Sequence, residues 1–198
     1  MHVAVIGHTD RESQARSLAA SLDATLYLDD GSLGEWANHR RALEAGTDSS
    51  HLLLLQDDAL PVPSFLDAAQ QAIKERPDSL ISFYLGTTRP QANLVQSAVD
   101  RAIRNDARWI EHNTLWWGVA IAIPATDLPA LLSFCDTRDE PYDFRIGAFY
   151  RTSRRPVLYT WPSLVDHDDG PSLVGHFTRR PRKAHRTGIP TGSGTVRI

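Results

Sequence analysis

A single cysteine, Cys135, occurs in the 198 residues. One thiol rules out an intrachain disulfide framework and leaves a thiolate zinc site without its ligands. No apolar run approaches the roughly 20 residues that a bilayer-spanning helix needs. The opening run MHVAVIGH carries neither a basic leader nor a small-residue cleavage site, so no membrane span and no secretion are expected, and a reducing cytoplasm is the expected compartment. Phosphate-binding glycine signatures are missing too: no G-x-G-x-x-G follows the first apolar run, and no G-x-x-x-x-G-K-[ST] occurs anywhere. TGSGT near the C-terminus has glycines but neither the lysine nor a following helix. No G-x-S-x-G elbow is present, and Cys135 lies in an apolar stretch that suits a core thiol better than a nucleophile.

What is present is enough for one substantial core: 41% of the residues are hydrophobic and 23% charged, which predicts one globular domain. The net charge of −3 is unevenly spread. From Pro171 onward the chain has six basic residues and no acid, leaving −9 on the remainder. The division expected is a domain over residues 1–176 and a basic, flexible tail over 177–198. A basic tail on an acidic body points to a polyanionic partner, or to a solvated terminus ordered only on contact.

The hydrophobic pattern alternates strand and helix. MHVAVIGH, ATLYLDD, HLLLLQDD and SLISFYLG read as strands, and RESQARSLAASL, GEWANHRRALEAG and SFLDAAQQAIKER as the helices between them, the last opened by Ser64 as N-cap. Beyond Gly86 one amphipathic helix is expected over Gln91–Asn105. A strand and short helix are expected in WWGVAIAIPATDLPALLSFC, a helix in YDFRIGAFYRTS and a final strand in PVLYTWPSLVDH. This is the pattern of an α/β fold with a mostly parallel sheet flanked by helices.

In such a sheet ligands bind beyond the carboxyl ends of the strands. Polar groups collect there: His8, Thr9 and Asp10 after the first strand, Asp29 and Asp30 after the second, Asp57 and Asp58 after the third. A carboxylate doublet suits a hard divalent cation that completes its shell with water and substrate phosphate. Taken alone, Asp57 and Asp58 fit a turn with an Asx cap before Pro61 better than a metal site.

The order of these features resembles a family. GEWANHRRALEAGTDSSHLLLLQDDALPVPSFLDAAQQAI resembles the central block of GT-A-type glycosyltransferases, where an Asn-bearing helix precedes a hydrophobic strand ending in an acidic motif. WWGVAIAIPATDLPALL resembles their acceptor-side strand and helix, and YDFRIGAFYRTSRRPVLYTWPSLVDHDDGPS their C-terminal part. The similarity runs in order over roughly residues 1–172. It implies a single Rossmann-like domain that transfers a sugar from a nucleotide-diphosphate donor, a UDP-sugar first, with Mn²⁺ or Mg²⁺ at the diphosphate. Asp58 matches the last acid of the motif and is the first-choice metal ligand, with His167 as a second ligand returning from the last strand. Asp57, His8, Thr9, Arg11, Asp30 and Asn38 match donor-binding positions. Asp143 matches the acid that deprotonates the acceptor hydroxyl in inverting enzymes, and it also suits an N-cap. Trp116, Trp117 and Gly118 match the acceptor side. Gln56 departs from the family, which has an acid there.

A chain this short has little room for an acceptor domain, so short loops and the tail must hold the acceptor. Arg179, Arg180, Arg182, Lys183 and Arg186 form a segment of the kind that follows a phosphate backbone. With the small size, this suggests a phage-type enzyme, working in the bacterial host cytoplasm, that glycosylates hydroxymethylated pyrimidine in DNA. The alternatives are transfer to a surface glycan or lipopolysaccharide, and a non-catalytic nucleic-acid-binding α/β domain.

Overall fold

Leu52, Leu53, Leu54 and Leu55 are inaccessible to solvent or nearly so, so their strand has no wet face and must lie inside a sheet covered on both sides. In the computed structural model, which describes residues 1–87, 92–168 and 182–198, that strand is β3 (His51–Gln56). It pairs in parallel with β1 (His2–His8) and β1 pairs in parallel with β2 (Thr25–Asp29). Helix α1 (Glu12–Ser21) carries the chain from β1 to β2, and α2 (Glu35–Ala45) carries it back past β1 to β3. Right-handed crossovers running in opposite directions along a sheet place α1 and α2 on opposite faces. The strand order therefore reverses between β1 and β3, and a crevice opens beyond their carboxyl ends.

The remaining elements widen the same sheet. After β3 come β4 (Ala59–Pro61), α3 (Phe65–Glu75), β5 (Leu80–Ser82), α4 (Ala92–Arg104) and β6 (Ala107–His112). Then follow β7 (Ala120–Pro124), α5 (Leu128–Cys135), α6 (Tyr142–Thr152), β8 (Val157–Thr160), β9 (Val165–His167) and β10 (Gly194–Arg197). The eight-stranded sheet has the order β10-β6-β8-β5-β7-β3-β1-β2. Four of its pairings are parallel, and β7 runs antiparallel to both β3 and β5. This is the expected Rossmann-like α/β fold with helices flanking a mostly parallel sheet. Cys135 is buried and unpaired, and burial pushes its thiol up to about 12, as befits a core residue.

Two strands join in a small antiparallel sheet of their own. β4 pairs with β9, Ala59 opposite His167 and Pro61 opposite Val165. Ala59–Pro61, just before the turn into α3, is thus itself a strand, and it pins the residues following Asp58 to β9.

Several local expectations change. Ser64 stands at the N-cap of α3 in the left-handed region with φ of 60° and makes no side-chain cap. SLISFYLG leaves the sheet after Ser82; Phe83 then donates to Ala120 O and accepts from Leu164 and Val165. The segment ARWIEH, which follows the expected helix and for which the sequence pattern predicts no element, is β6. The tail is corrected for residues 182–198, which pack on the domain. Thr87 donates to Lys183 O, Ser163 to Arg186 O and His185 to Leu85 O, and β10 completes the edge beside β6 in parallel. Backbone hydrogen bonds from distant strands hold this stretch in place of a local hydrophobic pattern. Arg179 and Arg180 lie outside the described residues. Among the described residues no helix is long and apolar enough to cross a membrane.

Candidate functional site

A cleft of about 940 Å³ opens beyond the carboxyl ends of β1, β2 and β3. Its floor is the strand reversal. The His8 backbone N–H donates to Asp57 Oδ2 at 3.0 Å, tying the end of β1 to the end of β3. Gly7 lets α1 pack close on the end of β1, since a Cβ there would stand 2.7 Å from Ala15 Cβ. Arg11, in the short turn Thr9–Arg11, points back under the same edge. Its Nη1 lies 3.1 Å from Asp57 Oδ1 and 2.8 Å from Asp58 Oδ2.

His167, delivered by β9, places Nε2 3.3 Å from Asp58 Oδ2. Burial lowers its pKa, with Arg182 and Arg11 adding to that and Asp58 opposing it. Burial raises the pKa of Asp57, partly offset by the His8 amide and Arg11. Asp58 Oδ1 and His167 Nδ1 are buried without a hydrogen-bond partner among the described residues. Buried polar atoms left this way mark where a ligand or water belongs.

The structure brings together most of the donor-side residues that the sequence singles out, with different roles for some. His8, Arg11, Asn38, Asp57, Asp58 and His167 all line the cleft. Asn38, nearly buried, donates from Nδ2 to Tyr27 O at 3.0 Å and Gly7 O at 3.4 Å, so it fastens α2 to the ends of β2 and β1. Thr9 is exposed and outside the lining. Asp30 is also outside it, with its carboxylate accepting from the Ser32 amide at 3.0 Å. Its neighbour Asp29 lines the cleft and caps the turn into α2 by accepting from Leu33 and Gly34.

A second group of residues comes from α2 and the start of α6. Asp143 and Phe144 line the cleft beside Glu35 and Tyr142. Burial raises the pKa of Glu35, and the charge of Asp143 raises it further. Phe144, a large aromatic at the site, is 52% exposed. Trp117 and Gly118 also line the cleft, with Trp117 packed edge-on against Tyr84. Trp116 does not; it packs over His112 with ring centroids 4.0 Å apart. Trp116, matched to the acceptor side, is thus packed against the core and not at the cleft.

Of the basic segment, Arg182 enters the cleft. Lys183 turns to the domain, its Nζ donating to His167 O at 2.8 Å, and Arg186 is exposed. Sequence reasoning missed Glu35, His39, Tyr142 and Phe144. The available signal was the phase of α2, where Asn38 and His39 fall on the face that also buries Ala42 and Leu43.

The carboxylate pair can be tested for a divalent ion. Asp58 and His167 stand as close as two ligands of one ion. However, Asp58 Oδ2 and Asp57 Oδ1 both face the Arg11 guanidinium, and Asp57 Oδ2 accepts from His8. No cluster of three ligating side chains exists among the described residues. Arranged in this way, the residues do not fit the Mn²⁺ or Mg²⁺ expected from the sequence.

No family model matches the chain, and no curated protein sequence does. Among solved structures, A197 from STIV is similar, with a TM-score of 0.51 at 13% identity over 85% of this chain and 86% of that one. Identity this low speaks for a shared fold alone.

Proposed function

We propose that the protein is a glycosyltransferase that moves a sugar from a nucleoside-diphosphate sugar, a UDP-sugar first, to a hydroxyl acceptor. One observation carries this reading. The strand reversal, the place where open α/β sheets bind nucleotides, opens into one cleft that holds two arginines, Arg11 and Arg182, together with the carboxylate of Asp143.

The parts divide by chemistry. Guanidinium groups suit a diphosphate, because their planar donors match phosphate oxygens and keep their charge at any physiological pH. Stabilising the departing nucleotide diphosphate needs positive charge fixed near it before the bond breaks. Asp143 lies partly exposed at the first turn of α6, and in this reading it accepts the proton of the attacking hydroxyl. Phe144 and Trp117 offer the aromatic faces on which a sugar or an extruded base stacks. A hydroxymethylated pyrimidine in DNA and a glycan hydroxyl both belong to the acceptor class that such faces receive.

The test is a binding and turnover screen. Purified protein is titrated with UDP, GDP and their sugars by calorimetry, then offered hydroxymethylated DNA and oligosaccharides with the donor that binds. Binding of one nucleotide sugar and acceptor-dependent release of its diphosphate is the expected result. Failure to bind any member of the panel sinks the proposal.

A further inference from the structure

The carboxylate pair at the end of β3 already has a cation. Arg11 Nη1 reaches both Asp57 and Asp58, and all three side chains are nearly out of solvent, 14% exposed for Arg11 and 8% and 10% for the two acids. A shared guanidinium between two buried carboxylates is a strong, charge-assisted arrangement, and removing it would leave two like charges side by side. Its position is not that of a long side chain wandering over a surface. Arg11 belongs to a single tight turn directly after β1, and the amide of His8 at the head of that turn is itself bonded to Asp57. Burial opposes the Arg11 charge, but Asp58 and Asp57 outweigh it and hold the pKa above its ordinary value.

Arg11 faces Asp57 Oδ1 and Asp58 Oδ2 and the His8 amide holds Asp57 Oδ2, which leaves only Asp58 Oδ1 to a divalent ion; an ion held by both acids would have to expel Arg11. The surroundings do not favour that exchange. Gln56, at the cleft edge of the same strand, brings no charge. Arg182 brings a second guanidinium to the same cleft. The cleft thus holds two arginines, of which Arg11 meets both acids.

We propose that Arg11 is the resident cation of Asp57 and Asp58, that it closes this pair to divalent metal, and that with Arg182 it receives the donor diphosphate in place of an ion. The exclusion of metal rests on the geometry of Arg11 alone, and the diphosphate role rests on the transferase reading.

Manganese titration followed by electron paramagnetic resonance, without nucleotide, tests the first half. Wild type is expected to leave Mn²⁺ free at millimolar levels. Arg11→Met should bind it at least about tenfold more tightly, and Asp58→Asn added to Arg11→Met should abolish that gain. Wild type that binds Mn²⁺ at micromolar levels, and loses it in Asp58→Asn, overturns the proposal without needing a folded Arg11 variant. So does equal binding by wild type and Arg11→Met. UDP calorimetry tests the second half. Equal wild-type affinity in EDTA and in Mn²⁺, with a loss of about tenfold or more in Arg11→Met under EDTA, is expected. Wild-type UDP binding that disappears in EDTA overturns it. UDP bound by no variant in either medium overturns the diphosphate role together with the transferase reading, while the manganese titration still decides who holds the carboxylates.

Discussion

The imidazole of His39 lies flat on the ring of Tyr142, the centroids 3.6 Å apart and the planes 19° from parallel. His39 Nδ1 is 2.7 Å from Glu35 O. A carbonyl can only accept, so Nδ1 carries the proton and the neutral ring presents a bare Nε2, which is buried without a partner among the described residues. Burial lowers the His39 pKa to about 4 from an ordinary 6.5. The unfolded chain therefore binds a proton that the folded one refuses between these values. The His39 contribution is complete above pH 6.5 and is lost as pH falls from there toward 4, a change on the order of 3 kcal/mol. Urea denaturation between pH 7 and 4.5 should show wild-type stability falling more steeply than that of His39→Phe, in which Glu35 and the other carboxylates still titrate. Parallel curves would show that His39 does not titrate in this way.

Gly118 is predicted to be irreplaceable even by alanine. Its carbonyl accepts from the Tyr142 hydroxyl, and a Cβ at this position would overlap that ring, with Cε2 2.8 Å away. The entropy gained from Gly→Ala, about 0.4–1 kcal/mol, is smaller than an overpacking cost of about 1–3 kcal/mol. Gly118→Ala should lower the melting temperature and loosen the His39–Tyr142 stack. An unchanged or raised melting temperature would refute this.

Asp143→Asn should reduce turnover by about 10²–10⁴-fold while leaving UDP affinity within about twofold. The substitution keeps the shape of the side chain and removes its capacity to take a proton. Turnover close to wild type would remove Asp143 from the reaction.

Away from the cleft, Asp127 accepts from the Tyr150 hydroxyl at 2.6 Å and from Arg155, whose other nitrogen donates to Asp78 O. Asp127→Ala strands a buried phenol and breaks the ion pair, a loss of about 2–3 kcal/mol. Chemical denaturation should report this loss with nucleotide affinity unaltered. A change under about 0.5 kcal/mol would mean that the network contributes little.

The sequence is legible where structure depends on local pattern. The first three strands and the helices between them show their periodicity plainly, because a strand buried on both faces must be continuously apolar and its helices must be striped. β6 was hidden by Arg108 and Glu111. In ARWIEH only Ala107, Trp109 and Ile110 are buried, so the alternation is broken. β10 was hidden more thoroughly, since Gly194–Arg197 owes its conformation to hydrogen bonds with β6 and not to its own composition.

The site divides along the same line. His8, Asp57 and Asp58 were placed correctly because strand ends are predictable from strands. Arg11 was assigned to the donor loop, but its pairing with carboxylates 46 and 47 positions away is a tertiary fact. Asn38 and Asp29 lie at the right place but do structural work, since backbone amides and carbonyls needing partners cannot be seen in one-dimensional text. Phe144 sits next to the singled-out Asp143, where a solvent-facing aromatic on a first helical turn is the only clue.

The pairing of β4 with β9 also sets an order of events. A chain emerging from the ribosome can complete β1, α1, β2, α2 and β3 before His167 and Arg182 have been made. Until β9 docks beside Ala59, the Asp57–Asp58 edge faces solvent without its imidazole or its second arginine. Under the transferase reading, nucleotide capture is thereby deferred until β9 is in place, and occupancy of the cleft becomes a check that β9 has docked.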